Sequence, residues 1–354
     1  MKYTILAFTI FLIFKTGLSQ TDNFKQMRLF EKLWTKLNEN YASFEIKDVD
    51  WQEMRNQIKP KITSNLTQQQ LMDTISLMLK PLNDGHVGVL KFKLFPLREI
   101  KGFSAERQSQ FYSEFPTDSL QNELFKVTSS TLQNYGFQEL KYGYQNDNTI
   151  IDFVKSENIG YIHISNMEGI SKRKVKSTMK GIVQELSDSD GLIIDVRANN
   201  GGFDNICDII TSFCIDSVIV ARYEQKRKKK SYCSFTKPKK VIINPQKVTF
   251  TKNIIVLTND RTRSAGEFLV LALKDLSYVT IVGDRTEGIL GGTKIGLLPY
   301  GWIYAVNKWK NTSRNLIWYE DIGISPDYLI LNKIENIETE VDPLIEKAVN
   351  LIKN

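Results

Sequence analysis

Histidine and cysteine are scarce in this chain of 354 residues, with two of the first and three of the second. His86 and His163 cannot build an imidazole cluster, and Cys207, Cys214 and Cys233 lack the paired spacing of a zinc site. No metal and no cofactor is therefore expected. Three is also the wrong number for a complete disulfide framework. One bridge stays open in an oxidising compartment, as do two core thiols with one bystander. Long apolar runs are lacking too. The run over residues 5–14 is too short to cross a bilayer, which takes roughly 20 residues, and no later stretch is longer, so no transmembrane segment is expected in the mature chain. Charge of one sign does not dominate: 47 Lys and Arg stand against 40 Asp and Glu, a net +7. Much of the excess lies in residues 222–240, which read as a solvated β-hairpin or loop. No nucleic-acid partner is expected from it.

What is present is a normal globular composition, 42% hydrophobic and 25% charged. Lys2, the short apolar run, and the small residues Gly17 and Ser19 read as a signal peptide over residues 1–19, cleaved before Gln20. The mature chain is then secreted or periplasmic. Residues 20–92 read as an N-terminal helical domain. Phe30, Leu33, Trp34, Leu37 and Tyr41 recur at helical spacing. Thr67 with Gln70 forms a capping box ahead of the apolar face Leu71, Ile75, Met78 and Leu79, and Pro81 ends that helix. Residues 93–158 carry weak signals and read as a small connecting region without a PDZ module. Residues 159–335 alternate strand and helix, with buried strands near 160–164, 192–196, 254–257 and 279–282. Strands separated by helices of this length imply parallel pairing with right-handed crossovers. Residues 336–354 read as a C-terminal helix.

Four places carry chemistry-bearing residues. Ser264 follows a buried strand and opens a helix, where unsatisfied N–H groups favour a developing anion; serine is also a common helix N-cap. A strand runs into Asp195 and then the adjacent Gly201 and Gly202, where backbone N–H groups can approach a ligand; a plain turn reads the same. His86 follows Asp84 and Gly85, and histidine is the usual general base at neutral pH. His163 lies mid-strand in an apolar run and reads as a packed residue. Glu320 and Asp321 lie in an acidic loop.

Taken in order, these places resemble the motifs of the tricorn-core and carboxyl-terminal-processing serine peptidases. Leu82 to His86 is similar to that family's L-x-D-G-H element. Gly191 to Gly202 resembles its G-L-I-I-D-x-R-x-N-x-G-G element, and Leu257 to Glu267 its serine-bearing element. Gly283 to Thr286 is similar to its G-E-R-T, and Glu320 to Asp327 to its E-x-x-G-I-x-P-D. The resemblance implies a ClpP/crotonase-like β-α-β core behind an N-terminal helical domain, and a peptide or unfolded-protein substrate. It implies Ser264 as nucleophile and an oxyanion hole from the backbone N–H of Ala265 with that of Gly201 or Gly202. The Ser–Lys branch places its lysine where Ile289 stands here, and isoleucine takes no proton. The tricorn branch implies His86 as base and Glu320 as its orienting acid, with Asp84 and Asp321 as alternatives. Gly85 stands where that branch carries a further serine. A non-catalytic peptide- or lipid-binding protein on the same fold is the alternative reading.

Overall fold

The computed structural model describes residues 22–94, 97–147, 149–229 and 231–354. The expected signal peptide over residues 1–19 lies outside the described residues. Among them, no helix is long and apolar enough to cross a membrane. The chain divides into two compact units: Met1–Glu106 with Lys294–Val306, and Arg107–Thr293 with Asn307–Asn354.

In the first unit, three helices precede a sheet. They are α1 (Asp22–Asn40), α2 (Trp51–Ile58) and α3 (Gln68–Leu79). Asp50 caps α2 by accepting the Glu53 N–H, and Thr67 with Gln70 makes the expected capping box on α3. Leu29, Phe30, Leu33 and Leu37 of α1 are buried, as are Leu71, Ile75, Met78 and Leu79 of α3, so each helix hides one stripe. Proline ends α3 within one 3-10 turn, Lys80–Leu82, and Asn83 takes a left-handed conformation that starts the next element. Strand β1 (Asp84–Leu94) pairs antiparallel with β2 (Leu97–Ala105) and with β12 (Trp302–Asn307); β11 (Thr293–Leu298) completes the order β11-β12-β1-β2.

The second unit is built on a seven-stranded sheet. Its parallel part is β5 (Ile159–Ile164), β6 (Gly191–Asp195), β9 (Asn253–Thr258), β10 (Val279–Gly283) and β14 (Tyr328–Leu329). Antiparallel β4 (Ile150–Lys155) and β3 (Lys141–Gln145) extend it beyond β5. Successive side chains point to opposite faces. Leu192, Ile194, Ile254 and Val256 therefore pack with α6 (Lys172–Glu185), α7 (Asp204–Thr211) and α8 (Ala265–Leu273). Ile193, Ile255 and Leu257 pack instead with α10 (Pro343–Lys353) and with Leu132 of α5 (Asp118–Asn134). Helices on both faces explain why these strands read as unbroken apolar runs. Two short helices, α4 (Gln110–Glu114) and α9 (Glu335–Glu338), contribute Phe111, Phe115 and Ile337 to a small satellite cluster. This is the expected α/β core.

Two differences from the sequence reading have physical causes. Residues 93–158 form no separate region: their first part is β2, and the rest supplies α4, α5, β3 and β4 of the second unit. β3 is exposed or half-buried along its whole length, so its mixed polar sequence carries little apolar signal. The basic stretch does form a hairpin, β7 (Ile219–Lys226) with β8 (Lys239–Ile243), and β13 (Trp309–Thr312) pairs with β7. Arg222, however, is buried rather than solvated. It pairs with Asp208 at 2.7 Å and lies over the Phe268 ring at 4.3 Å. Cys207 and Cys214 are buried thiols and Cys233 is exposed.

Candidate active site

Two loops of the second unit meet at Ser264. One follows β6 over residues 196–202, and the other follows β9 over residues 259–264. Buried side chains stitch them together. Asn259 Oδ1 accepts the N–H of Ala198 at 2.8 Å and of Arg261 at 3.1 Å. The Thr262 hydroxyl donates to the Val196 carbonyl at 2.8 Å. From the other loop, Asn199 donates its amide to the Ile164 carbonyl at 2.7 Å and accepts the Gly201 N–H at 2.8 Å. Its main-chain carbonyl takes the Arg263 N–H at 3.0 Å. Leaving any one of these buried groups unmatched costs about 1–3 kcal/mol, so the loops hold each other in one arrangement.

That arrangement imposes strain at Ser264, whose φ is 54° and ψ is −120°. A residue with a β-carbon pays of order 1–3 kcal/mol there. Ala198 in the partner loop also has a positive φ, 53°. A β-carbon at Gly201 would stand 2.7 Å from the Ser264 β-carbon and 2.9 Å from the Ala265 nitrogen. Only glycine lets this backbone lie against the serine and the start of α8. The Ala265 N–H belongs to the first turn of α8, where main-chain donors have no partner within the helix. The Gly201 N–H is spent on Asn199, which leaves Gly202 as the glycine whose N–H is uncommitted.

Three residues into α8, Glu267 is fully buried and collects four donors. Oε2 accepts the N–H of Ser264 at 3.2 Å and of Ile289 at 2.9 Å. Oε1 accepts the Thr286 hydroxyl at 2.6 Å and the Gly288 N–H at 2.8 Å. Burial pushes this carboxyl up to about 7, against the hydrogen bonds of Thr286, Gly288 and Ile289 that favour its charged form. The sequence reading quoted Glu267 within a motif and gave it no role. Its place three residues after the serine is a capping-box signature that identifies it.

The Glu320 loop joins the same framework through Gly288. The Asp321 N–H donates to the Gly288 carbonyl at 2.7 Å. Glu320 is buried, and Asn307 donates its amide to Oε1 at 2.8 Å. Asp321 has a φ of 68° and pairs with Arg107, which also donates to the main-chain carbonyls of Glu287 at 3.1 Å and Asp321 at 3.0 Å. The two neighbouring acids thus have separate attachments.

A second buried carboxylate underlies the glycine loop. Asp195 ends β6, accepts the Arg197 N–H at 3.0 Å, and pairs with the Arg197 guanidinium at 2.6 Å. Arg197 reaches on to Asp342, the N-cap of α10, at 2.8 Å, and Tyr161 donates to Asp195 at 2.9 Å. Burial would raise the Asp195 carboxyl, but the Arg197 guanidinium holds it below the ordinary value.

His86 belongs to the first unit. Asp84 Oδ1 accepts its N–H at 2.8 Å, and the Ser104 hydroxyl donates to the Gly85 carbonyl at 3.2 Å. The β1–β2 register shifts between Asp84 and Gly88, an irregularity of the kind that re-aims side chains beside functional sites. His163 is packed mid-strand, its ring 5.4 Å from that of Phe125. The structure therefore gathers Ser264, Ala265, Gly201 and Gly202, and ties the Glu320 loop to them. His86 is set on its own strand by Asp84. Among the described residues, no group of acidic, histidine or cysteine side chains is arranged to hold a metal.

A serine at the head of α8 thus opens against a glycine loop at the end of the parallel core. Residues 158–330 match peptidase family S41, and residues 21–80 match the tricorn protease C1 domain. The tricorn protease of Thermoplasma volcanium is 27% identical over 55% of the chain, and the carboxy-terminal processing protease CtpA of Bacillus subtilis is 26% identical over 46%. Those matches cover 17% and 34% of the two relatives, so the chain spans about a third of their lengths at most. A crystal structure of a proposed peptidase from Parabacteroides merdae superposes with a TM-score of 0.73 and 25% identity, covering 93% of this chain and 96% of that one.

Proposed function

We propose that the protein is a secreted serine-type endopeptidase or oligopeptidase acting on unfolded or extended peptides. The strained Ser264, opening α8 against the Gly201 backbone, is the observation that carries this reading. In it, Ser264 Oγ attacks the scissile carbonyl as His86 takes its proton. The Ala265 and Gly202 N–H groups receive the oxyanion, which a preorganised pair of backbone donors stabilises without reorganising. Collapse of the tetrahedral species passes the proton from His86 to the leaving amine and leaves an acyl-enzyme. Water, deprotonated by His86, then releases the second product. Glu320 orients the imidazole. It is preferred to Asp321, which is engaged by Arg107, and to Asp84, which accepts the main-chain N–H of His86. No lysine fills the base position, because Ile289 there is buried and apolar. Export rests on the signal-like residues 1–19.

The test is turnover of a quenched fluorescent casein by the chain from Gln20, in the presence of a chelator. Ser264→Ala, His86→Ala and Glu320→Gln run beside it. The reading requires chelator-resistant activity that is lost in the first two variants and reduced in the third. Activity that persists in Ser264→Ala, or no turnover of any unfolded substrate by a folded protein, overturns it.

A further inference from the structure

The first unit contains a cleft of about 490 Å³ lined by none of the proposed catalytic residues. Its size lies within the range of small-ligand sites, roughly 300–1,000 Å³. One wall is α1, with Lys25, Gln26 and Leu29; another is the start of α3, with Thr67, Gln68 and Leu71; the floor is the sheet, with Lys91 and Trp302. The walls are fixed to each other, since the Gln26 amide donates to the Leu66 carbonyl at 2.8 Å. Leu29, Leu71 and Trp302 are buried, so the interior is apolar where it is deepest.

The charge inside it is one-sided. Among the described residues, Lys25 and Lys91 line the cleft and no acidic residue does. Lys91 stands directly across from Trp302 in the β1–β12 register, and its ammonium lies 5.6 Å from the indole ring centre. Among the described residues no carboxylate pairs with it. Burial without such a partner lowers the tendency of this ammonium to stay charged. A half-buried cation that meets only a π face loses hydration and recovers little of it. At the rim, Tyr300 is held at a φ of 63° and is exposed, a strained placement for a residue with a β-carbon.

We infer that this cleft binds a short peptide segment through a carboxylate, with the carboxylate on Lys91 and an adjacent apolar side chain on Trp302 and Tyr300. The choice of a peptide among possible anions rests on the peptidase reading. The cleft would then hold an acidic or C-terminal stretch of a substrate or product at a place separate from Ser264.

The experiment is fluorescence anisotropy with the Ser264→Ala protein, so that turnover plays no part. The probes are a fluorescein-labelled pentapeptide, apolar except for a free C-terminal carboxylate, and its C-terminal amide. Charged hydrogen bonds contribute about 1.5–3 kcal/mol, so the free acid should bind at least about tenfold more tightly than the amide. Lys91→Gln should remove that preference and Lys91→Arg should keep most of it, with both variants melting like the parent. Raising the salt to 0.5 M should weaken binding of the acid only. Equal binding of acid and amide, or an acid preference unchanged in Lys91→Gln, overturns the inference. So does competition by inorganic phosphate for a cleft that binds neither peptide. A casein-cleaving protein with no acid preference would sink this proposal alone, and a carboxylate-selective cleft in a protein without turnover would sink the peptidase reading alone.

Discussion

Glu267 and Asp195 are both fully buried carboxylates under the same pair of loops, yet they are held in opposite ways. Asp195 faces a guanidinium, which more than offsets the cost of burial and holds it charged. Glu267 accepts only from neutral donors, the Thr286 hydroxyl and three main-chain N–H groups; burial prevails over them, and the nearby Glu287 carboxylate pushes the same way. The first arrangement is an ionic anchor that ties the glycine loop to α10 through Asp342. The second is a hydrogen-bonding hub that ties the serine to residues 286–289. The contrast shows that a rigid site can be built on a permanent charge or on geometry alone, and that only the second kind responds to pH near neutrality.

The largest expected effect falls on the proposed nucleophile. Ser264→Ala should lower casein turnover by about 10⁴-fold or more and leave the urea midpoint near that of the parent. Ser264→Gly should abolish turnover equally while gaining about 1 kcal/mol, because glycine accepts the left-handed φ.

Next comes the ionic anchor. Arg197→Met leaves Asp195 and Asp342 buried without their cation, and breaking such a pair costs about 3–5 kcal/mol. Urea unfolding at pH 7 should show that loss, and an unchanged midpoint would mean the anchor contributes nothing.

The hub is distinguished by its pH response. Glu267 has a folded value of about 7 against an ordinary 4.5. The folded protein therefore holds an extra proton between those values. Its contribution is fully present below about pH 4.5 and is lost as pH rises to 7, by at most about 3 kcal/mol. Glu267→Gln should flatten the change in urea midpoint between pH 5 and pH 7.5. Asp195 works the other way. Its contribution is present above the ordinary value near 3.8 and fades only as pH falls below it, so Asp195 should leave the pH 5–7.5 window unaffected.

The smallest effect tests the surroundings. Burial pushes the Cys214 thiol up to about 12 and Cys207 well above its ordinary value, while Cys233 is exposed. Native protein should take one equivalent of iodoacetamide by mass spectrometry, and denatured protein three. Native labelling at Cys207 would contradict the packing around α7.

The helices of the first unit were legible because their signals are local: Thr67 with Gln70, the apolar stripe of α3, and Pro81 after it. The parallel core was legible because two-sided burial leaves unbroken apolar runs at Leu192 to Ile194 and Ile254 to Leu257. The serine motif, the glycine pair and the isoleucine at position 289 were legible as residue types in order. What could not be read is what pairing across distance creates. Sequence left Gly201 and Gly202 as equals; they are separated by the Asn199 side chain, which the Ile164 carbonyl, 35 residues away, holds against one N–H. It left Asp321 beside Glu320 as an alternative, and Arg107, more than two hundred residues away, engages Asp321. Composition and local periodicity determine which segments become helix or strand and which residue types stand at their ends. Only tertiary structure decides which donors and charges those ends meet, because a hydrogen bond or an ion pair depends on positions in space that neighbouring residues in the chain do not specify.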